Sequence, residues 1–410
     1  MTKEEYIRHR NRIACNMKDN SMLILFQAPD KEDFYDPSRN FLYATGIKES
    51  KDRLILMKHN GKLFDCLFIQ EYDPVEEKWV GRTLNSKEAK EISGINNIYY
   101  LKDFDEFVRE TIKDNNIVYL ELNRNNANDP LSFTEQYAKE LKEKYPYCQI
   151  ENSINLFSYA RTIKSKEEID EIRKAIHITN LGIQELMKNI KPGIYEYQLE
   201  SYFDQSIKFN GANGFSFSTI AASGKNSCCL HYSSNNAVIE KDNVMLFDLG
   251  ATYNYYCADI SRTIPVNGKF SKRQKEIYNI VLKGQELMFD TIKPGITQRE
   301  LNKILRDYYC IELKKIGLIK EDNELDKYYF HGVSHHLGLD CHDLCNYGPL
   351  EAGAVISNEP GLYIPEENIG IRIEDDVLVT EDGCENLSSE IIKSVEDIEK
   401  FMSKYNPNIK

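Results

Sequence analysis

The sequence predicts an α+β protein with two domains, an N-terminal α/β domain over residues 1–155 and a larger domain over residues 156–410. Three observations favour this organisation. A chain of 410 residues is longer than one typical domain. Strand-like and helical segments alternate in the first part of the chain, whereas the second part contains an internal repeat. The repeat predicts two halves related by an approximate two-fold.

The N-terminal domain is predicted from alternating segment types. Its apolar, β-branched and aromatic segments predict strands in SMLILFQA, RLILMKHNGKLFDCLFIQ, NIYYL and NIVYLEL, and Asn60-Gly61 predicts a hairpin turn in the second of these. Helical spacing is found in SKEAKEISG, DFDEFVRETIKD and SFTEQYAKELKEKY. This domain has no glycine-rich phosphate-binding loop.

The second domain begins with a predicted long helix, RTIKSKEEIDEIRKAIHITNLGIQELMKNI, for which Ser165 is the candidate N-cap. Its end, QELMKNIKPGI, recurs as QELMFDTIKPGI at residues 285–296, and a new helical pattern follows both copies. Lys-Pro-Gly is a common helix stop, so this match alone leaves the repeat open.

A second correspondence supports the repeat. Seventeen residues separate His231 from Asp248, and seventeen separate His342 from Glu359. Each acid belongs to an apolar strand pattern, DNVMLFDLG or AGAVISNEPG. A second strand with another acid follows in each half, in CADISRT and IRIEDD. The domain therefore reads as two halves, each with two helices and a hairpin.

The four acids of these strands indicate a metal site. They are Asp248, Asp259, Glu359 and Glu374. A two-fold that pairs the hairpins brings the four together, where they would repel unless protonated or bound to cations. A single one could instead face solvent or pair with an arginine, but four at matching positions favour a metal. Carboxylates with imidazole suit Mn²⁺, Co²⁺, Fe²⁺ or Zn²⁺, and two such ions would activate water for hydrolysis.

Residues 331–343, HGVSHHLGLDCHD, contain four of the eight histidines. His331 and His335 have the spacing of two ligands on a helix, but Gly332 and Gly338 disfavour a regular helix. One ligand from this segment suffices beside four acids, and the other histidines would line the pocket. A structural zinc held by the cysteines of C-x-x-x-C and of the adjacent pair at 228–229 is a weaker alternative.

Composition excludes several classes of partner. Acidic residues outnumber basic ones, 65 to 52, for a net charge of −13, and no dense basic patch indicates nucleic acid. No run reaches the ~18 apolar residues of a membrane span. The charged start MTKEEYIRHRNR is not a secretory signal, and ten scattered cysteines read as reduced thiols, so we expect a cytoplasmic protein.

Five ordered segments resemble the bacterial aminopeptidase P branch of the pita-bread metallopeptidases. They are LHYSSNN, MLFDLGATYNYYCADISRTIPVNGKFS, HGVSHHLGLDCHD, SNEPGLYIP and GIRIEDDVLVTEDGCENLS. YIRHRNRIACNMKDNSMLILF and FLYATGI are similar to that family's N-terminal domain, so the resemblance covers nearly the whole chain. It implies a pita-bread catalytic domain with an internal pseudo-two-fold, preceded by a creatinase-like α/β domain that shapes the substrate cleft and supports oligomers.

The resemblance also implies a role for each metal-site residue. Two divalent ions are implied, with Mn²⁺ expected and Co²⁺ or Zn²⁺ as alternatives. Asp248 matches the terminal carboxylate on one ion, and Asp259 and Glu374 match the bridging carboxylates. His335 and Glu359 match the ligands of the other ion, and Glu359 also matches the proton shuttle.

Four further residues match groups around the reacting peptide. His231, His331 and His342 match the histidines that hold substrate and stabilise the tetrahedral intermediate, and Arg372 matches an arginine beside the bridging acid. The implied reaction is attack of a metal-bridging hydroxide on the carbonyl of the N-terminal residue, with the proline nitrogen as leaving group. The implied substrates are peptides with proline at the second position, and the implied assembly is a homodimer or homotetramer.

Two alternatives stay open. Prolidase shares the ligands but accepts only dipeptides, and Ser334, Asp340 and the segment ENLS look more like aminopeptidase P. A catalytically silent binding protein on the same fold is the other alternative. Non-peptidase relatives such as creatinase lack the metal set, and degenerate relatives usually lose ligands, whereas all five ligand positions here carry ligand-type residues.

Overall fold

The computed structural model describes residues 1–27, 36–75, 77–124 and 126–408. The chain divides into two compact units. Unit 1 comprises residues 1–161 and 344–346, and unit 2 comprises residues 162–343 and 347–410. The boundary predicted between residues 155 and 156 lies within a helix, Ile154–Thr162.

Unit 1 is a mixed α/β domain. Its elements, in chain order, are α1 (Lys3–Cys15), β1 (Ser21–Phe26), α2 (Arg39–Thr45), β2 (Arg53–His59), β3 (Lys62–Ile69), α3 (Glu77–Val80), α4 (Ser86–Ser93), β4 (Asn97–Tyr100), a 3₁₀ helix (Leu101–Asp103), α5 (Phe104–Thr111), β5 (Ile117–Leu120), α6 (Phe133–Lys144), β6 (Gln149–Asn152) and α7 (Ile154–Thr162). The predicted strands and helices of this part are confirmed, except that Ala28 of SMLILFQA lies outside the described residues.

The strands of unit 1 form one six-stranded sheet in the order β4-β3-β2-β1-β5-β6. β2 and β3 are the predicted hairpin, and their turn residues Asn60 and Gly61 both have positive φ, 50° and 73°. Such a turn matches the twist of paired strands, and asparagine and glycine tolerate it best. One face of the sheet buries an apolar cluster that includes Ile24, Phe68 and Phe104.

Unit 2 contains both copies of the repeat. Its elements are α8 (Lys166–Asn189), α9 (Glu196–Phe209), β7 (Gly214–Phe215), β8 (Ile220–Ser223), β9 (Val244–Leu249), β10 (Ala251–Tyr253), β11 (Tyr256–Cys257), β12 (Ile260–Pro265), α10 (Lys272–Thr291), α11 (Gln298–Lys315), β13 (Val355–Asn358), β14 (Gly361–Ile364), β15 (Ile369–Arg372), β16 (Asp375–Val379), β17 (Cys384–Asn386) and α12 (Val395–Tyr405). Its 3₁₀ helices are Gly224–Cys228, Asp322–Lys327 and Pro365–Glu367.

The two copies of the repeat fold alike at their helices. α8 and α10 each begin at a serine, Ser165 or Ser271, whose side chain accepts the backbone N–H three residues later. Glu168 and Gln274 return a side-chain bond to the cap residue in each case. These capping boxes satisfy backbone groups that a helix start leaves unpaired. The predicted Ser165 cap is therefore confirmed.

The repeat extends to the strands that carry the acids. β9 pairs with β12, and β13 pairs with β16, both antiparallel. Asp259 directly precedes β12 as Glu374 directly precedes β16. Asp248 lies inside β9, whereas Glu359 follows the last residue of β13. Three of the four acids therefore lie next to a strand end, whereas Asp248 lies within a strand.

Residues 331–343 are irregular, as their glycines predicted. In the part of the chain that the structure describes, no helix is both long and apolar enough to cross a membrane.

Candidate metal and active site

Both halves of unit 2 contribute side chains to one pocket with a volume of about 810 Å³. Its lining includes every predicted site residue: Asp248, Asp259, Glu359, Glu374, His231, His331, His335, His342 and Arg372. We call the four carboxylates Asp248, Asp259, Glu359 and Glu374 the acidic cluster. The structure therefore brings together the residues that the sequence pattern selected.

His335 faces three members of the acidic cluster. Its Nε2 atom lies 3.3 Å from Asp259 Oδ2, 3.6 Å from Glu359 Oε1 and 4.0 Å from Glu374 Oε1. Its Nδ1 atom lies 3.1 Å from the carbonyl oxygen of His336, which can accept the Nδ1 proton, so Nε2 is the ring nitrogen that faces the carboxylates. This is how proteins orient a metal-binding histidine.

Ser261 and Arg372 join the acids of the two halves. The Ser261 hydroxyl lies 3.1 Å from Asp248 Oδ1 and 2.8 Å from Glu374 Oε2. It accepts a bond of 2.7 Å from Arg372 Nε, and Arg372 Nη2 donates to Asp248 Oδ2 at 2.6 Å. Ser261, which lies between Asp259 and Arg262 in the segment CADISRT, was not predicted as a site residue. It lies opposite Asp248 in the observed strand register, which local sequence patterns do not reveal.

A second chain of hydrogen bonds fixes His331. Arg372 Nη1 donates to the Tyr363 oxygen at 2.9 Å, and the Tyr363 hydroxyl lies 3.0 Å from His331 Nε2. His331 Nδ1 lies 2.7 Å from the Gly332 carbonyl, so Nδ1 carries the proton and Nε2 accepts from Tyr363. Burial, followed by the nearby Arg372 charge, lowers the pKa of His331 to about 3. His331 is therefore a neutral ring with both nitrogens engaged.

The acidic cluster has more negative charge than its surroundings balance. Burial raises the pKa of Glu359 to about 7, and burial with the neighbouring acids raises the pKa of Glu374 well above its usual value. Although burial lowers it, contact with Asp259 and Glu359 raises the pKa of His335 to about 9. Such opposed shifts are typical of functional sites.

The residues present fit a bound cation. Among the described residues, Asp259 Oδ1 is buried and has no hydrogen-bond partner. Oxygen and nitrogen atoms of Asp259, His335 and Glu374 lie within 4.8 Å of one another, close enough to share one ion. A buried oxygen without a partner and crowded carboxylates are both stabilised by a divalent cation.

His231 and His342 are exposed residues at the pocket wall. The ring of His342 packs edge-to-face against that of His335, with centroids 4.2 Å apart. Cys341, next to it, donates its thiol to Asp259 Oδ2 at 2.9 Å. The alternative zinc site predicted for Cys341, Cys345 and the pair at 228–229 is not formed, since no compact group of potential ligands among the described residues joins those cysteines.

The fold and pocket are those of a two-domain metallopeptidase. Residues 170–381 match the family model for metallopeptidase family M24, and residues 6–119 match the aminopeptidase P N-terminal domain. The Xaa-Pro aminopeptidase of Escherichia coli (strain K12) is 32% identical, with 98% of each chain covered. The chain belongs to metallopeptidase family M24, and within it groups with the Xaa-Pro aminopeptidases.

Solved structures agree with this assignment. An inferred aminopeptidase P of Bacillus anthracis is 44% identical and superposes with a TM-score of 0.96 over 100% of both chains. The E. coli aminopeptidase P with the inhibitor Pro-Leu is 31% identical, with a TM-score of 0.89 over 99% of both chains. The predicted family, fold and metallo-aminopeptidase class are confirmed.

Proposed function

We propose that this metallo-aminopeptidase removes the N-terminal residue from peptides that have proline at the second position. One observation carries the proposal: the acidic cluster and His335 converge in a pocket with excess negative charge, in a chain similar over its full length to Xaa-Pro aminopeptidases. A silent binding protein would have no need to maintain this costly set of buried charges.

Five residues would hold the metal in this proposal: Asp248, Asp259, His335, Glu359 and Glu374. A set of four carboxylates and one imidazole suits Mn²⁺, with Co²⁺ and Zn²⁺ as alternatives. When bound, a pair of such ions activates a water molecule as hydroxide and polarises the carbonyl that it attacks. The resemblance implies two ions, for which Asp259 and Glu374 would both serve as shared ligands, and these two acids stand at matching points of the repeat.

The remaining steps belong to side chains of the pocket. Glu359 would carry the proton from the attacking water to the proline nitrogen, a role that the resemblance implies and that its place in the pocket lining allows. His342 and His231 lie at the pocket wall, where they would contact the peptide and stabilise the tetrahedral intermediate. His331 would orient Tyr363 and Arg372, and Arg372 would hold Asp248 in place.

A peptide series tests this function. Purified protein with Mn²⁺, Co²⁺ or Zn²⁺ is given Xaa-Pro dipeptides, Xaa-Pro-Yaa tripeptides and matched Xaa-Ala-Yaa tripeptides, and the released amino acid is quantified. We expect cleavage of the proline tripeptides and little of the alanine ones. Cleavage confined to the dipeptide would assign prolidase activity instead. No cleavage with any metal would contradict the proposal.

The finer properties of the protein are also proposals. On the resemblance alone, residues 1–155 would help to shape the substrate cleft and support a homodimer or homotetramer, which light scattering on the full chain measures. The cytoplasmic location stays a prediction that cell fractionation tests.

A further inference from the structure

Cys341 introduces a soft ligand into a site otherwise made of oxygen and nitrogen donors. The Cys341 thiol donates a hydrogen bond to Asp259 Oδ2, the same carboxylate oxygen that lies near His335 Nε2. Ligand atoms of His335, Cys341 and His342 all lie within 4.8 Å of one another. We call these three residues the triad; it shares His335 with the group of Asp259, His335 and Glu374 but uses no carboxylate.

The two donor sets prefer different ions. Carboxylate oxygens suit Mn²⁺ and other hard cations, whereas a thiolate with two imidazoles is a typical set for Zn²⁺ and other thiophilic ions. The triad is open to the pocket, because Cys341 is half-buried and His342 is exposed. A cation entering the pocket can therefore reach all three donors and leave its fourth position to water, as in zinc sites with three protein ligands.

We propose that His335, Cys341 and His342 form a second metal site, which takes a thiophilic divalent ion such as Zn²⁺. Binding forms a metal–sulfur bond, the thiol proton leaves to solvent, and no electrons are transferred. Because each ring nitrogen of a histidine ligates one ion and Nδ1 of His335 lies at the His336 carbonyl, an ion in the triad competes with an ion in the acidic cluster for His335. Excess thiophilic ion would then inhibit the enzyme through Cys341. The binding rests on the three donors alone, and only the inhibition rests on the proposed function.

Cd²⁺ is a suitable probe, because a cadmium–thiolate bond has a charge-transfer absorption in the ultraviolet that carboxylate and imidazole ligands lack. The full-length protein is stripped with chelator and titrated with Cd²⁺ while absorption and bound metal are measured. Cys341→Ser removes the sulfur but keeps a hydroxyl that can donate a hydrogen bond to Asp259. Cys341→Val removes both the sulfur and this hydrogen bond. Cys310→Ala is the matched control, since Cys310 belongs to α11 and is not among the pocket residues.

We expect a charge-transfer band at one equivalent of Cd²⁺ in the parent protein and in Cys310→Ala. Both Cys341 variants should lack this band and bind Cd²⁺ at least about tenfold more weakly, while they still bind Mn²⁺. Retained Mn²⁺ binding shows that the variants fold. An unchanged band in both Cys341 variants, or its loss in Cys310→Ala, would overturn the proposal. Failure of the proposed function would appear separately, as absent peptide cleavage by the parent protein with Mn²⁺.

Discussion

Unit 2 contains two clusters of buried charged side chains, one that includes Glu374 and one that includes its neighbour Asp375. The two clusters differ in how far positive side chains compensate the carboxylates. Glu374 belongs to the acidic cluster, where burial and other acids raise its pKa. Asp375 accepts from Arg262 Nη2 at 2.6 Å and also from Lys393. Although burial alone would raise it, these two cations hold the pKa of Asp375 below its usual range. We call Arg262, Asp375 and Lys393 the balanced cluster.

The comparison distinguishes buried charges that stabilise the fold from buried charges that belong to the candidate metal site. In the balanced cluster two cations face one carboxylate, and Arg262 Nη1 also donates to the backbone carbonyl of Glu374 at 2.6 Å. The balanced cluster therefore fixes the backbone on which the acidic cluster is built. In the acidic cluster four carboxylates share Arg372 and His335, so we expect an added cation to stabilise it further. Three predictions test this contrast, and a fourth extends it to a single buried acid of unit 1.

The largest effect is expected from Glu374→Gln. Loss of a bridging charge should reduce peptide cleavage by about a thousandfold or more and abolish stoichiometric binding of Mn²⁺. The free energy of unfolding of the metal-free protein should not fall, because one member of a crowded set becomes neutral. Metal analysis, kinetics and denaturant unfolding measure the three effects, with exposed Glu385→Gln as control. Parent-like metal content would refute the assigned bridge.

Asp375→Asn should lower the free energy of unfolding of the metal-free protein, in contrast to Glu374→Gln. It leaves Arg262 and Lys393 buried or half-buried without their carboxylate, which costs about 3–5 kcal/mol of unfolding free energy. Urea unfolding of the metal-free protein measures this loss, and exposed Asp382→Asn is the matched control. A stability equal to that of the control would show that the balanced cluster contributes little.

Metal addition should stabilise the parent protein and not Glu374→Gln. An ion that binds only the folded state at one hundred times its Kd adds about 2.7 kcal/mol. Thermal unfolding with and without Mn²⁺ tests this, and Asp375→Asn should retain the metal-dependent shift. A shift of equal size in Glu374→Gln would place the stabilising ion outside the acidic cluster.

The smallest effect concerns Asp52 of unit 1, a single buried acid. Burial, then the charge of Glu49, raises the pKa of Asp52 to about 8. The folded state therefore favours protonated Asp52. The contribution of this proton to the free energy of unfolding is complete below the unfolded pKa of about 4 and is lost as pH rises through about 8. Above that pH, Asp52→Asn should be more stable than the parent by roughly 1–3 kcal/mol. Denaturant unfolding at a series of pH values measures this difference, with exposed Asp114→Asn as the control. The prediction is contradicted if the stability of both variants changes with pH as that of the parent does.

Several elements could be predicted because their signals are local. The Asn60-Gly61 hairpin follows from two residues that tolerate positive φ, and the Ser165 cap follows from serine and glutamate three residues apart. Equal spacing of histidine and acid in two segments predicted that the halves would pair their acids. The distances within the pocket remained beyond such reasoning, because they depend on how two hairpins distant in the sequence approach each other.

By itself, the sequence determined the family, the repeat and the residue types of the candidate site, since each is recorded in local patterns and in their spacing. Only the tertiary structure decided which groups meet. It placed Ser261 between Asp248 and Glu374, engaged both nitrogens of His331, and set the Cys341 thiol on Asp259. It also gave Glu374 and Asp375 different surroundings, because adjacent residues of an extended chain point to opposite sides and therefore meet different charges.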